Sequence, residues 1–127
     1  MALRADISPP DSRTMVVVRA GDREAALQGA ERAGAQLDKL VAAGVIGGYD
    51  TPARFLPSRA TQAARRASLP AADELRARLA TAVDGLPLAA GKLDGFVADV
   101  AAARTMADID RRDLDGSGLA LVVDSLL

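Results

Sequence analysis

Hydrophobic side chains follow two different periods along the chain, and the change of period divides it into segments. Residues 14–20 form one run, Thr-Met-Val-Val-Val-Arg-Ala, in which β-branched residues dominate. Such a run, apolar on both faces, is typical of a buried central β-strand. Gly21 and Asp22 end the run, and Asp22 is a favourable N-cap for a helix. The lead-in, residues 1–13, contains Pro9-Pro10 and is predicted to be a loop.

The next segment carries apolar residues at helical spacing. Within residues 23–43, spacings of three and four define one stripe, which consists of Leu27, Ala30, Gly34, Leu37 and Val41. This period predicts a helix, and Gly44 suits the position that follows its last turn. Gly34 lies on the stripe, where the lack of a side chain would let another backbone approach closely.

Residues 45–50, Val-Ile-Gly-Gly-Tyr-Asp, predict a second and weaker strand with a bulge or bend at its glycines. Residues 14–50 would then form strand, helix and strand, the skeleton of a βαβ unit. A sheet generally needs three or more strands, or a helix that covers it. We therefore expect an α+β, helix-rich fold whose sheet is incomplete within this chain.

The remaining residues, 51–127, are predicted to be a loop followed by helices. Residues 51–57 are the loop, and Ser58 is placed to cap a helix over residues 59–68. Three further amphipathic helices are predicted from apolar stripes that contain Leu75, Leu79, Val83 and Leu86, then Leu93, Phe96, Val97 and Val100, and finally Leu119, Val122, Val123 and Leu126. For the last stripe, a strand is the less favoured interpretation. Residues 1–127 are thus predicted to be a single domain or a fragment of a larger one.

Composition limits what the core and the surface can do. Half of the residues are hydrophobic, but only 2% are aromatic, so the core must be built mainly from Leu, Val and Ala. Phe55 and Phe96 are expected to be core anchors. The formal net charge is −1, from 16 basic and 17 acidic residues, which gives no overall attraction for nucleic acid or anionic membranes.

The chain has no Cys and no His, so disulfides, the commonest general base and the commonest metal ligand are all missing. Gly85 and Gly91 are separated by five residues instead of the four of a phosphate loop. The acidic residues before Gly116 do not form a calcium loop, because Arg111 and Val122 would occupy its first and twelfth positions. We therefore predict no catalytic residue, no cofactor, no metal site and no enzymatic activity.

No apolar run approaches the roughly 20 residues that span a bilayer, and the chain does not open with a signal-peptide pattern. Taken literally, this indicates a cytosolic protein.

Arg54, Arg59, Arg65 and Arg66 form a local basic cluster. A solvated face is the favoured interpretation of Arg65 and Arg66, over a partner surface or a site for lipid headgroups.

One stretch carries a more specific signal. Residues 48–58, Gly-Tyr-Asp-Thr-Pro-Ala-Arg-Phe-Leu-Pro-Ser, followed by Gln62 and Arg65-Arg66, resemble a stretch in predicted exporters of the MMPL-like branch of the RND superfamily. The most specific part is Phe-Leu-Pro-Ser-x-x-x-Gln. The lead-in, the Leu86-Pro87 break and the order of helices are also similar, so the resemblance covers nearly the whole chain. The order matches the second-half extracytoplasmic loop of this family better than the first.

The resemblance implies a location, a fold and a role. It implies a periplasmic domain between two transmembrane helices of a bacterial inner-membrane exporter, with a partial ferredoxin-like fold whose third and fourth strands would follow Leu127. Proteins of this branch use the proton gradient to export lipids, aryl-polyene pigments or related hydrophobic products. Their proton-relay acids lie within transmembrane helices, so none is transferred to this sequence. The candidate substrate or partner surface is Tyr49, Arg54, Phe55, Pro57, Gln62, Arg65 and Arg66.

Expected partners are the rest of the transporter, a hydrophobic small molecule or lipid, and a second copy through an open sheet edge, but not nucleic acid. The alternative function is a cytosolic α+β binding or regulatory module that completes its sheet by homodimerisation. A small enzyme with a His-free site is a third interpretation, for which the sequence offers no supporting pattern.

Overall fold

The computed structural model describes residues 14–127, whose regular secondary structure is all helical, and no β-strand is formed within this range. Six α-helices and two short 3₁₀ helices make up its regular structure. The α-helices are α1 (Arg23–Ala42), α2 (Pro52–Phe55), α3 (Arg59–Ser68), α4 (Ala72–Ala82), α5 (Asp94–Ala103) and α6 (Gly118–Leu126), and the 3₁₀ helices are Ala90–Leu93 and Arg111–Leu114.

The predicted α+β, partial ferredoxin-like start is wrong. Residues 14–20 contain no helix, turn or bend, but they form no ladder, and residues 45–50 begin with three bends. β-branched side chains favour an extended backbone, yet a strand also needs a neighbour that supplies N–H and C=O groups. No segment between residues 14 and 127 takes that role. The predicted lead-in loop, residues 1–13, lies outside the described residues.

The helix predicted over residues 23–43 is confirmed, with both of its ends. The Asp22 carboxylate accepts a hydrogen bond from the Ala25 N–H at 2.8 Å, the expected N-cap arrangement. Gly44 follows the helix with φ of +69°, a left-handed conformation that glycine adopts without strain. Only the first half of the predicted stripe is buried, since Leu27 and Gly34 are covered while Val41 is exposed.

The predicted loop over residues 51–57 is partly wrong, because Pro52–Phe55 forms the short helix α2. Pro52 occupies its first turn, where the missing N–H costs nothing and the fixed φ suits the helix. The predictions of α3, α4, α5 and α6 as helices are confirmed, and the alternative of a final strand is wrong. Asp110 and Asp113 form a reciprocal capping box at the start of the 3₁₀ helix Arg111–Leu114.

The chain divides into two compact units, each described by itself. The described part of the first unit comprises residues 14–58 and 109–127, and its core brings together Leu27 of α1, Leu56 and Val123 of α6. Phe55 packs against this core, which confirms its predicted role as an anchor.

The second unit comprises residues 59–108. Leu75 of α4 and Val97 of α5 are its buried apolar residues, and α3 buries none. The prediction that Phe96 is a core anchor is wrong, because this side chain is 51% exposed. Neighbouring residues of a helix point about 100° apart, so burial of Val97 turns Phe96 away from the core.

Between residues 14 and 127, no helix combines the length and the apolar character needed to cross a bilayer.

Candidate functional site

The stretch that carries the family resemblance is folded onto the core of the first unit. Ala53 and Leu56 are buried, so the helical turn of α2 directs its apolar side towards α1 and α6. Thr51 precedes this turn, and its Oγ1 atom is buried without a hydrogen-bond partner among residues 14–127. The short helix therefore fixes Phe-Leu-Pro-Ser as part of the packing.

Ser58 ends this stretch in a fully buried position. The carboxylate of Glu31 accepts hydrogen bonds from the Ser58 N–H at 2.8 Å and from its hydroxyl at 2.7 Å. A carboxylate that accepts two hydrogen bonds from a buried residue makes a strong local restraint, since charge-assisted bonds are shorter and stronger than neutral ones. Glu31 was not singled out from the sequence. Its place on α1, off the apolar stripe, carries no signal of a partner 27 positions away.

Tyr49 lies in the segment between α1 and α2, and its side chain packs against α1. Its hydroxyl lies 2.7 Å from Asp38 Oδ1 and 3.0 Å from the Gly34 carbonyl oxygen. The hydrogen bond to Asp38 is the main reason that the pKa of Tyr49 is raised above its ordinary value of 10.0. A Cβ atom at position 34 would lie 3.1 Å from the Tyr49 hydroxyl. The lack of a side chain at Gly34 therefore makes room for the Tyr49 side chain. The sequence analysis predicted that another backbone would approach here.

Arg54 lies beside Tyr49. Its guanidinium carbon is 5.7 Å from the centre of the Tyr49 ring, within the range of a cation–π contact. Its Nη1 atom is 3.0 Å from Asp50 Oδ1, and both side chains are more than half exposed. The half-buried Tyr49 and the exposed Arg54 thus form a small aromatic and cationic surface.

The candidate surface residues predicted from the sequence differ in what they expose. Phe55 faces the core of the first unit, and Pro57 is half-buried. In the second unit Gln62 is half-buried, Arg65 is exposed and Arg66 pairs with Asp108 at 2.6 Å. The structure therefore joins Tyr49 with Arg54, and it packs the partly buried Phe55 against the core.

A depression of about 620 Å³ lies elsewhere in the first unit. It is bordered by the end of segment 14–20, the first turn of α1 and the end of α6, with Arg19, Arg23 and Asp124 on its rim. Sequence reasoning missed it, because its walls come from segments about 100 residues apart in the chain.

Arg111 forms an ion-pair network next to this depression. Its Nε and Nη2 atoms contact the two oxygens of Asp124 at 2.6 and 2.5 Å, and its Nη1 atom lies 2.6 Å from Asp115. The paired hydrogen bonds match the geometry of a bidentate guanidinium–carboxylate pair. They lower the pKa of Asp124 and raise the pKa of Arg111. The network ties α6 to the 3₁₀ turn before it.

Large apolar side chains are exposed in both units. Val17 is 70% exposed and Leu121 of α6 is 75% exposed in the first unit, and Phe96 of α5 is exposed in the second. Within residues 14–127, no group of three or more acidic side chains is arranged to hold a metal ion.

Comparison of the chain with protein-family models, curated proteins and solved structures found no match.

Proposed function

We propose that this chain is an extracytoplasmic portion of an MMPL-like exporter of the RND superfamily, and that it acts by non-covalent contact with partner surfaces or a hydrophobic cargo. The resemblance of residues 48–58, Gln62 and Arg65-Arg66 to that family is the source of this assignment. The proposal includes no bond chemistry and assigns no catalytic residue.

The observation that carries the proposal is the exposure of large apolar side chains on several separate elements. Met15 and Val17 of segment 14–20, Leu121 of α6 and Phe96 of α5 are each more than half exposed. Burial of apolar surface contributes about 25 cal/mol per Å², so such positions favour contact with other surfaces. The remaining porter domains of an exporter, and a lipid-like cargo, are surfaces of this chemistry.

The arrangement of the first unit supports a role in rigid-body motion. The Glu31 and Ser58 pair and the Tyr49 contacts tie the resemblance stretch to α1. A stretch restrained in this way moves together with α1. Its pair of the half-buried Tyr49 and the exposed Arg54 can then meet a partner surface without local refolding.

The test is the sequence of the parent gene on both sides of the segment that encodes these residues. The proposal expects apolar runs of about 20 residues in the same reading frame, upstream and downstream. A reporter enzyme that is active only in the periplasm, fused after Leu127 in the full-length protein, should then be active. A parent reading frame without membrane spans would overturn the proposal, and so would a reporter that is active only in the cytoplasm.

A further inference from the structure

Residues 14–20 are the one described segment of this length that is extended and lacks backbone pairing. The segment has no helix, turn or bend, and no backbone hydrogen bond joins it to another part of residues 14–127. It contains no proline, so every residue offers one N–H and one C=O group. An extended segment with a row of unpaired N–H and C=O groups is a template for pairing with another strand.

The segment is also held in a defined orientation. Met15 and Val17 are 81% and 70% exposed, whereas Val16 and Val18 are 58% and 37% exposed. This alternation has the period of two that a strand would show. A Cβ atom built on Gly29 would lie 2.4 Å from Val18 Cγ1. The missing side chain at position 29 therefore lets Val18 pack directly on α1.

We propose that residues 14–20 pair with the same segment of a second copy of this chain, as antiparallel strands related by a two-fold axis at Val17. This inference goes beyond the proposed function and does not depend on it, because it rests on the backbone and side chains of the segment. An antiparallel partner satisfies the free N–H and C=O groups of both copies, and a two-fold axis closes the assembly at a dimer.

The side chains of the segment fit this register. Val17 faces Val17, Val16 faces Val18, and the single charge of the segment, on Arg19, faces Met15. No like charges oppose each other directly, an arrangement that avoids a destabilising cross-strand pair. A register shifted towards the C-terminus would draw in Asp22, whose carboxylate already caps α1.

A second argument for a copy of this chain as the partner is that both copies bring a helix to cover the paired strands. An isolated two-stranded ribbon is marginal in water unless a helix packs on it. A two-fold axis perpendicular to the ribbon places both α1 helices on one face, where Val18 already packs against Gly29 of α1. Seven residues from each copy make an interface below roughly 1,200 Å², the range of weak and transient complexes. The dimer should therefore depend on concentration.

Sedimentation velocity of the purified chain between about 1 µM and 1 mM tests the association. We expect a reversible monomer–dimer equilibrium within this range. Val17→Pro removes the central N–H group and should weaken the dimer about tenfold, whereas Val17→Thr keeps the donor and the β-branch and should still dimerise. Circular dichroism should show the same helix content in all three proteins, because the segment makes no backbone hydrogen bond within residues 14–127. A monomer at every concentration would overturn the proposal.

Cysteine cross-linking tests the register, because the natural chain has no Cys. In Val17→Cys the two thiols face each other in a hydrogen-bonded pair, with Cα atoms about 5.5 Å apart, and a disulfide should form under mild oxidation. In Met15→Cys, which is more exposed, the thiols are four residues out of register, about 14 Å apart, and should cross-link at least tenfold more slowly. Equal rates at the two positions, or no disulfide at position 17, would contradict the pairing.

Discussion

The carboxylate of Glu31 holds Ser58 through two hydrogen bonds, one to its N–H group at 2.8 Å and one to its hydroxyl at 2.7 Å. The two residues are 27 positions apart, and Ser58 is fully buried. The bond pair fixes the end of the Phe-Leu-Pro-Ser stretch to the middle of α1. Glu31, which lies outside the resemblance motif, is therefore one of the residues that hold the motif in place.

Glu31→Gln should lower the free energy of unfolding by about 1–3 kcal/mol, because the amide keeps only one acceptor oxygen for the two Ser58 donors. The measurement is urea denaturation followed by circular dichroism. Glu74→Gln is the matched control, since within residues 14–127 Glu74 pairs only with Arg78, on the exposed face of α4, and the change should cost less than about 0.5 kcal/mol. Ser58→Ala combined with Glu31→Gln should cost less than the sum of the single changes. Strict additivity would show that the two side chains are not coupled.

Leu56→Ala should lower the free energy of unfolding by about 2–5 kcal/mol, the range for removal of a buried leucine side chain. Leu56 is 3% exposed and packs with Leu27 and Val123. The control is Leu121→Ala in the same unit, which is 75% exposed and should change stability by less than about 0.5 kcal/mol. Equal losses in the two variants would mean that Leu56 is not part of the core.

Thr51→Val should raise the free energy of unfolding by about 1 kcal/mol. The hydroxyl oxygen of Thr51 is buried without a hydrogen-bond partner among residues 14–127, and valine replaces it with a methyl group of similar shape, which removes the cost of desolvation. Thr51→Ala, which leaves a small cavity instead, should be less stable than Thr51→Val in the same urea experiment. A Thr51→Val variant less stable than the natural chain would reveal a hydrogen bond of this hydroxyl.

The helices were predictable from the sequence because their signals are local. The spacing of Leu27 and its neighbours, the Asp22 cap and Gly44 all act within one or two turns, and each was predicted at its observed position. The strands were not predictable in the same way. The valine run of residues 14–20 specifies an extended backbone, but pairing depends on a second segment, and residues 14–127 supply none.

The candidate site was predictable only in part, for the same reason. Tyr49 and Arg54 are close in sequence, and a turn of α2 is enough to bring them together. Glu31 reaches Ser58, and Arg111 reaches Asp124, only after α1, α2 and α6 have packed. The spacing of residues in the sequence does not predict contacts of this kind. Phe96 shows the converse, since its large apolar side chain predicted burial, whereas the face of α5 is set by Val97.

Tyr49 should titrate above its ordinary pKa, and the chain allows this to be measured directly. It contains one Tyr and no Trp, so absorbance of the phenolate near 295 nm reports a single group. The pKa is raised mainly by the hydrogen bond to Asp38, while the charge of Arg54 lowers it. Asp38→Asn should therefore lower the pKa of Tyr49, and Arg54→Ala should raise it. Shifts in the same direction in both variants would contradict this arrangement.

The sign of the linked stability follows from this shift. A group whose pKa is higher in the folded state contributes stability that is complete below the unfolded pKa, about 10 for Tyr. That contribution is lost as the pH rises through the higher folded pKa. The urea midpoint of the natural chain should therefore fall more steeply above pH 10 than that of Tyr49→Phe, which has no proton to lose. Parallel curves for the two proteins would exclude a stabilising role for the Tyr49 hydroxyl proton.

The pair of Arg111 with Asp124 should make stability depend on pH in the acidic range. Hydrogen bonds from Arg111 lower the pKa of Asp124 in the folded protein, so the contribution is present above the unfolded pKa, about 3.9 for Asp, and is lost as the pH falls through the lower folded value. The urea midpoint, measured from pH 7 down to about pH 2, should fall less in Asp124→Asn than in the natural chain. Asp99→Asn is the control, since Asp99 is exposed on α5 and forms no ion pair among residues 14–127, and it should follow the natural chain. If Asp124→Asn also follows the natural chain, the ion pair does not stabilise the docking of α6.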